Sequence, residues 1–189
     1  MLNKFDLEGK VAIVTGGGRG LGKAMALAQA DAGCNLTVTA RTREQIEQTA
    51  AEVRTKGRKC LPFTADIASF EQVRQMVEAT VREHGAVNIL VNNAGGMHKG
   101  MWKPFFDITQ EDWQDGLNIN LSGAFYCSQV AARHMADRGG GKIINVTSLY
   151  GLRGFGSGIT YSAAKGGVVQ LTRATALYLA PYNIQVNAI

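Results

Sequence analysis

Val11-Ala12-Ile13-Val14-Thr15-Gly16-Gly17-Gly18-Arg19-Gly20-Leu21-Gly22 reads as a strand that runs directly into a glycine-rich turn and then a helix. Its first five residues form a near-continuous apolar run, as a parallel strand covered on both faces requires. The glycines let the backbone turn sharply and approach a diphosphate closely. The helix that follows offers unpaired N–H groups and the positive end of its dipole. The spacing is T-G-x-x-x-G-x-G and fits the dinucleotide fingerprint G-x-G-x-x-G in no register. A tight turn that binds nothing is the plain alternative, but the flanking strand and helix are the context a phosphate loop needs.

The same grammar repeats outward from this stretch. A helix over 21–32 leads to a strand at 35–40, and Thr42-Arg43-Glu44-Gln45 reads as a capping box opening a helix to Lys56. A strand at 59–64 precedes a second box, Ser69-Phe70-Glu71-Gln72, and a helix to His84 that Gly85 can terminate. A strand at 87–91, a third box at Thr109–Asp112 with one long helix to Arg138, and a strand at 142–146 follow. A helix over 160–179 must stop before Pro181, and a sixth strand begins near Asn183. Such alternation predicts one α/β domain over 1–189, a doubly wound parallel sheet in three αβα layers. The chain ends at Asn187-Ala188-Ile189 in or just after an apolar strand, so it reads as a domain truncated at its sixth strand.

Composition narrows the class. The 189 residues are 46% hydrophobic and 19% charged, with 23 Gly and 3 Pro, which suits one ordinary globular domain. No apolar run is long enough to span a bilayer, and Met1–Lys10 carries acids without an apolar signal core, so a cytoplasmic protein is expected. Cys34, Cys60 and Cys127 are scattered, and His84, His98 and His134 have no ligand spacing, so no metal site is expected. The net charge of +5 is spread along the chain, which argues against a nucleic-acid partner.

Chemistry concentrates in the second half. Tyr161 and Lys165, four apart on a helix, put a phenol and an ammonium on one face. A free tyrosine titrates near ~10, and an adjacent cation favours its phenolate. Asn92-Asn93-Ala94-Gly95 follows the fourth strand, at the strand end where open α/β sheets place ligands. Asn120 lies within an apolar helical stretch and Ser148 just past the fifth strand. Taken singly, each of these is more often a structural feature than a catalytic one.

Together, Thr15-Gly16-x-x-x-Gly20-x-Gly22, Asn92–Gly95, Asn120, Ser148 and Tyr161-x-x-x-Lys165 resemble the classical short-chain dehydrogenases/reductases in order and separation, over essentially the whole chain. The 3-oxoacyl-[acyl-carrier-protein] reductases and glucose dehydrogenases are among the members it is similar to. The resemblance implies that Tyr161 is the general acid or base, that Lys165 tunes the phenol and holds the nicotinamide ribose, and that Ser148 orients the substrate oxygen. It further implies that Asn120 holds a relay water. Cofactor contacts are implied at Gly16, Gly18, Arg19, Gly20, Leu21, Arg41, Asp66, Ile67, Asn93, Tyr161 and Lys165.

Family members also continue past the sixth strand and pair the helices equivalent to 109–138 and 160–179, which implies a homodimer or tetramer. Cofactor choice follows from charge. An acid at the end of strand two would bind the ribose 2′-hydroxyl of NAD, whereas this chain has Ala40-Arg41-Thr42-Arg43 there and Arg19 in the glycine loop. Two guanidiniums suit a 2′-phosphate, so NADP(H) is expected over NAD(H).

The remaining pocket, Gly96–Trp102 and Leu149–Gly158, offers Met97, Met101, Trp102, Leu152 and Phe155 as apolar lining. His98, Lys99 and Arg153 are its polar candidates. A 3-oxoacyl thioester, a sugar, a steroid or a small ketone would each be an acceptable small-molecule substrate. A non-catalytic NADP-binding sensor and an inactive fragment are the alternative readings.

Overall fold

A computed structural model describes residues 5–189; Met1–Lys4, the first part of the N-terminal stretch read above, lie outside the described residues. Six strands, β1 (Val11–Thr15), β2 (Asn35–Ala40), β3 (Cys60–Thr64), β4 (Ile89–Asn92), β5 (Gly141–Asn145) and β6 (Ile184–Ala188), form one sheet. Its order is β3-β2-β1-β4-β5-β6, and every pairing is parallel. The order reverses between β1 and β4, which opens a crevice at their C-terminal ends. Pro62 sits in β3, which pairs only with β2, so its missing N–H faces the open edge.

The helices are α1 (Gly20–Asp31), α2 (Arg43–Thr55), α3 (Phe70–His84), α4 (Gln110–Leu117), α5 (Gly123–Ala136) and α6 (Ile159–Leu179). Alternation along β1 divides the core in two. Ala12 and Val14 pack with Ala26, Ala30, Ile46, Ala50 and Val53 of α1 and α2. Ile13 faces the other layer, with Val73, Met76, Cys127, Ala131 and Met135 of α3 and α5. The three-layer α/β reading is thus the observed architecture.

Local details differ from the sequence expectations in three places. Thr42 makes no capping bond; the Gln45 side chain lies against Gly18 instead, where an added Cβ would fall 2.8 Å from Gln45 Cβ. At α3 only half the box forms. Ser69 accepts from Gln72 N at 3.4 Å, but Gln72 Oε1 accepts from Asp66 N at 2.8 Å rather than returning to Ser69. The box at Thr109 and Asp112 is complete. The expected single helix over 109–138 is broken by a π segment, Asn118–Ser122, and ends at Ala136.

A buried polar ladder ties the central strands to the helices behind them. Asn92 Nδ2 donates to Ser128 Oγ at 2.9 Å and to Asn145 Oδ1 at 2.8 Å, and Asn145 Nδ2 donates to Thr172 Oγ1 at 2.9 Å. Since unpaired buried amides are costly, the ladder fixes how α5 and α6 sit against β4 and β5.

Candidate active site

The glycine loop is shaped from two sides. Gly16 has φ +65°, a left-handed conformation that favours glycine. A Cβ on Gly22 would strike the Gly16 carbonyl oxygen and lie 2.5 Å from Asn93 Nδ2, so α1 approaches the loop as closely as backbone allows. Asn93 is a strut here: its Nδ2 donates to Thr15 O at 2.9 Å and to Gly16 O at 3.4 Å. Thr15 Oγ1 accepts from the backbone N–H of Asn93 and Ala94, both at 3.0 Å, and donates to Val91 O at 3.2 Å. No side chain caps α1, and its first turn carries no acid. Its N–H groups and positive dipole end are therefore left for an anion, and the bare glycine backbone gives a phosphate room to approach.

The other expected cofactor residues surround this cradle unevenly. Arg19 and Arg41 are exposed, and neither forms an ion pair among the described residues. Leu21 is 71% exposed at the start of α1. Asp66 folds one carboxylate oxygen back onto Ala68 N at 3.0 Å. Ile67 is buried in the core beneath Gly123, so its side chain packs inside the protein.

The four expected catalytic residues converge beyond the ends of β4 and β5. Asn120 lies in the π segment, 2% exposed. Its Nδ2 donates to Gly116 O and Gly96 O, each at 3.1 Å, while Oδ1 accepts from Gly96 N at 2.6 Å. An amide side chain inserted into the helical ladder is a physical reason for a local π turn. A Cβ on Gly95 would come within 2.8 Å of Asn120 Oδ1 and 3.7 Å of Lys165 Nζ, so glycine alone keeps the space between them open.

Lys165 is 5% exposed, and its Nζ donates to Val146 O at 2.8 Å. Burial lowers its pKa to about 8, from an ordinary 10.5. The same Nζ lies 5.7 Å from the Tyr161 ring centroid. Ser148 Oγ accepts from Tyr150 N at 3.2 Å. Tyr150 in turn sets its ring edge-on to Tyr161 at 5.7 Å and stacks on Phe155 at 4.2 Å.

Several pocket expectations need correction. Met101 is 6% exposed and belongs to the packing, not to an open wall. His98 faces inward: its Nε2 is 2.7 Å from Thr160 Oγ1 and its Nδ1 is buried. Met97, Trp102, Leu152 and Phe155 remain exposed and apolar. Sequence reasoning missed Tyr150 and the latch role of Thr15. An aromatic two residues after Ser148, and a hydroxyl ending the strand before the glycines, were the available signals.

This geometry is an open α/β crevice with a glycine cradle on one side and a buried lysine beside a tyrosine on the other. Residues 10–189 match the short chain dehydrogenase family, and the chain belongs to it, as an oxidoreductase of that family. The chain is 40% identical to the 2-dehydro-3-deoxy-D-gluconate 5-dehydrogenase of Escherichia coli, across 100% of its own length and 73% of the relative's. It is 33% identical to a 3-oxoacyl-[acyl-carrier-protein] reductase of Thermotoga maritima, over 97% of the chain and 73% of the relative. A carveol dehydrogenase from Mycobacterium avium, solved in complex with NAD, superposes with a TM-score of 0.90 at 31% identity, covering 96% of this chain and 70% of that one. No described helix is long and apolar enough to cross a membrane.

Burying Lys165 has a measurable signature. Because its folded pKa is depressed, the unfolded chain binds more protons between about pH 8 and 10.5. The burial cost is therefore complete below about pH 8 and relieved as pH rises toward 10.5. Lys165→Met should gain roughly 1–3 kcal/mol over wild type at pH 7, with the gain vanishing near pH 10.5. Urea titrations at pH 7, 9 and 10.5 check this, and a pH-independent difference would contradict it.

Proposed function

We propose that the chain is the catalytic part of an NADP(H)-preferring oxidoreductase that interconverts a carbonyl and a secondary alcohol. The observation that carries the reading is the buried Lys165 ammonium beside the Tyr161 ring, with Asn120 across Gly95 from it. A cation taken out of water beside a tyrosine ring is costly to stability, and that cost favours a functional reading of the pair. A bound nicotinamide supplies the hydride donor or acceptor. Tyr161 gives its proton to the carbonyl oxygen in reduction and takes it back in oxidation. Ser148 orients that oxygen by hydrogen bonding, and the Asn120 amide holds the Gly96 turn so that a proton path can pass Lys165. A mere NADP sensor would leave this arrangement without a purpose.

The cofactor would lie with its diphosphate over Gly16–Leu21 and its adenosine toward Asp66 and the backbone of Ile67. Arg19 and Arg41, both exposed and without a carboxylate partner among the described residues, favour a 2′-phosphate. The NAD in the carveol dehydrogenase belongs to that enzyme and leaves the preference here to be measured. The exposed Trp102, Leu152 and Phe155 favour a substrate with an apolar face, a description that a 3-oxoacyl thioester, a small ketone or the ring face of a sugar meets. Two copies would associate through α4–α5 and α6, where Phe125, Leu177 and Tyr178 are exposed. A cytoplasmic setting suits this chemistry.

Three outcomes are expected. Wild type should bind NADPH more tightly than NADH, and Arg41→Asp should invert the order by weakening NADPH about tenfold or more; fluorescence titration with both cofactors decides it. Tyr161→Phe should lower carbonyl reduction by at least ~10²-fold while NADPH affinity stays within about twofold, because the ring survives and the transferable proton does not. Sedimentation velocity should show a dimer or tetramer, and a strictly monomeric profile at micromolar concentration would remove the helix pairing.

A further inference from the structure

We propose that His98 is a positioning residue for the reaction: through Thr160 it fixes the first turn of α6 and with it the setting of the Tyr161 phenol. The proposal rests on the acid–base reading of Tyr161 given above. Nothing local secures this turn. Its N-cap is Gly158, with φ +64°, no side chain caps it, and its first turn holds no acid. Helix ends held only by their own backbone open readily.

The anchor comes from the loop after β4. Thr160, immediately before Tyr161, is fully buried, and its hydroxyl lies 2.7 Å from His98 Nε2. Among the described residues His98 Nδ1 is buried without a partner, so the bond at Nε2 is the one hydrogen bond there that directs the ring. The α4 backbone closes the third side: a Cβ on Gly116 would lie 2.8 Å from His98 Nε2 and 3.0 Å from Thr160 Cβ. The carbonyl of that same Gly116 accepts from Asn120 Nδ2 at 3.1 Å. One glycine therefore touches both the Asn120 side of the site and the Thr160 anchor of the Tyr161 side.

Successive residues on a helix are about 100° apart, so drawing Thr160 inward sets the direction in which Tyr161 leaves the axis. Tyr150 meets Tyr161 edge-on, and a Cβ on Gly158 would lie 3.1 Å from Tyr150 Cε1. Tyr161 therefore meets Tyr150 through its own ring, while a polar latch holds its neighbour Thr160. Misplacing a reacting group by about 1 Å can cost on the order of 10²-fold in rate.

The test uses His98→Leu, His98→Gln, Thr160→Val and Thr160→Ser in the full chain, with NADPH and 2,3-butanedione as cofactor and carbonyl probe. His98→Leu and Thr160→Val should lower kcat by about 10- to 100-fold while KM for the probe and NADPH affinity stay within about twofold. His98→Gln and Thr160→Ser, which retain a hydrogen-bonding group, should recover most of the rate. Hydrogen exchange in the peptide 158–165, which includes the Ser162 N–H donated to Gly158 O at 2.8 Å, should quicken in the Leu and Val variants and not in the Gln and Ser variants. Unchanged exchange in the Leu and Val variants overturns the proposal, as does quickened exchange with an undiminished kcat. If wild type fails to reduce the probe, the reading of that activity suffers and the exchange measurement alone still decides whether His98 holds the turn.

Discussion

The hydroxyl of Thr15 joins the two halves of this sheet at the point where strand order reverses. It accepts two backbone N–H groups from the segment leaving β4 and donates to Val91 O, while Asn93 reaches back to the carbonyls of Thr15 and Gly16. Adjacent parallel strands diverge at a switch point and leave backbone groups without ladder partners; here the Asn93 N–H is shared between Thr15 Oγ1 and Val91 O. The latch satisfies them and fixes the glycine loop relative to Gly95 and Gly96. Since Gly95 faces Asn120 and Lys165, the glycine loop and the Asn120–Lys165 side of the crevice share one connection.

Beyond that connection, the site is assembled from polar groups that a purely stabilising design would omit. Lys165 is nearly buried with no carboxylate beside it, and its pKa falls accordingly. Asn92 Oδ1 and His98 Nδ1 are buried without partners. Each feature costs stability, and all lie at or near the C-terminal ends of β4 and β5 or the start of α6. Other buried side-chain atoms without partners, Thr39 Oγ1 in β2 and His84 Nδ1 in α3 among them, lie on other elements, so the cost is not confined to the site.

Alternation of strands and helices was legible from periodicity, because buried parallel strands leave short apolar runs that glycines and capping residues punctuate. The sheet, its layers and most element limits followed. The π segment was not legible, since Asn118–Ser122 looks like ordinary helix until the Asn120 amide is seen to bond Gly116 O. Thr42 and Gln45 had the right spacing for a capping box, but Gln45 is held against Gly18, a contact 27 residues away in sequence that no local pattern encodes. The candidate site was readable as a set of spaced residues; which side chains face inward was not. His98 and Met101 were candidates for the substrate wall, yet both are folded into the protein by partners elsewhere in the chain.

These inward residues hold the loop after β4 in place. Residues 96–103 are pinned at three places: Gly96 by both ends of the Asn120 amide, His98 by Thr160, and Lys103 by its ion pair with Asp112 of the complete capping box. Gly100 leaves the room that the Asp112 side chain occupies, so the loop and α4 interlock rather than merely touch. Pinned backbone between exposed side chains is how a binding wall stays in place while its recognition residues change. Met97, Lys99 and Trp102, the residues between or beside the pins, are exposed, and their side chains take no part in the bonds that hold the loop. The separation of pinned from free residues follows from hydrogen bonds and burial alone. Held and exposed residues thus interleave along one short loop.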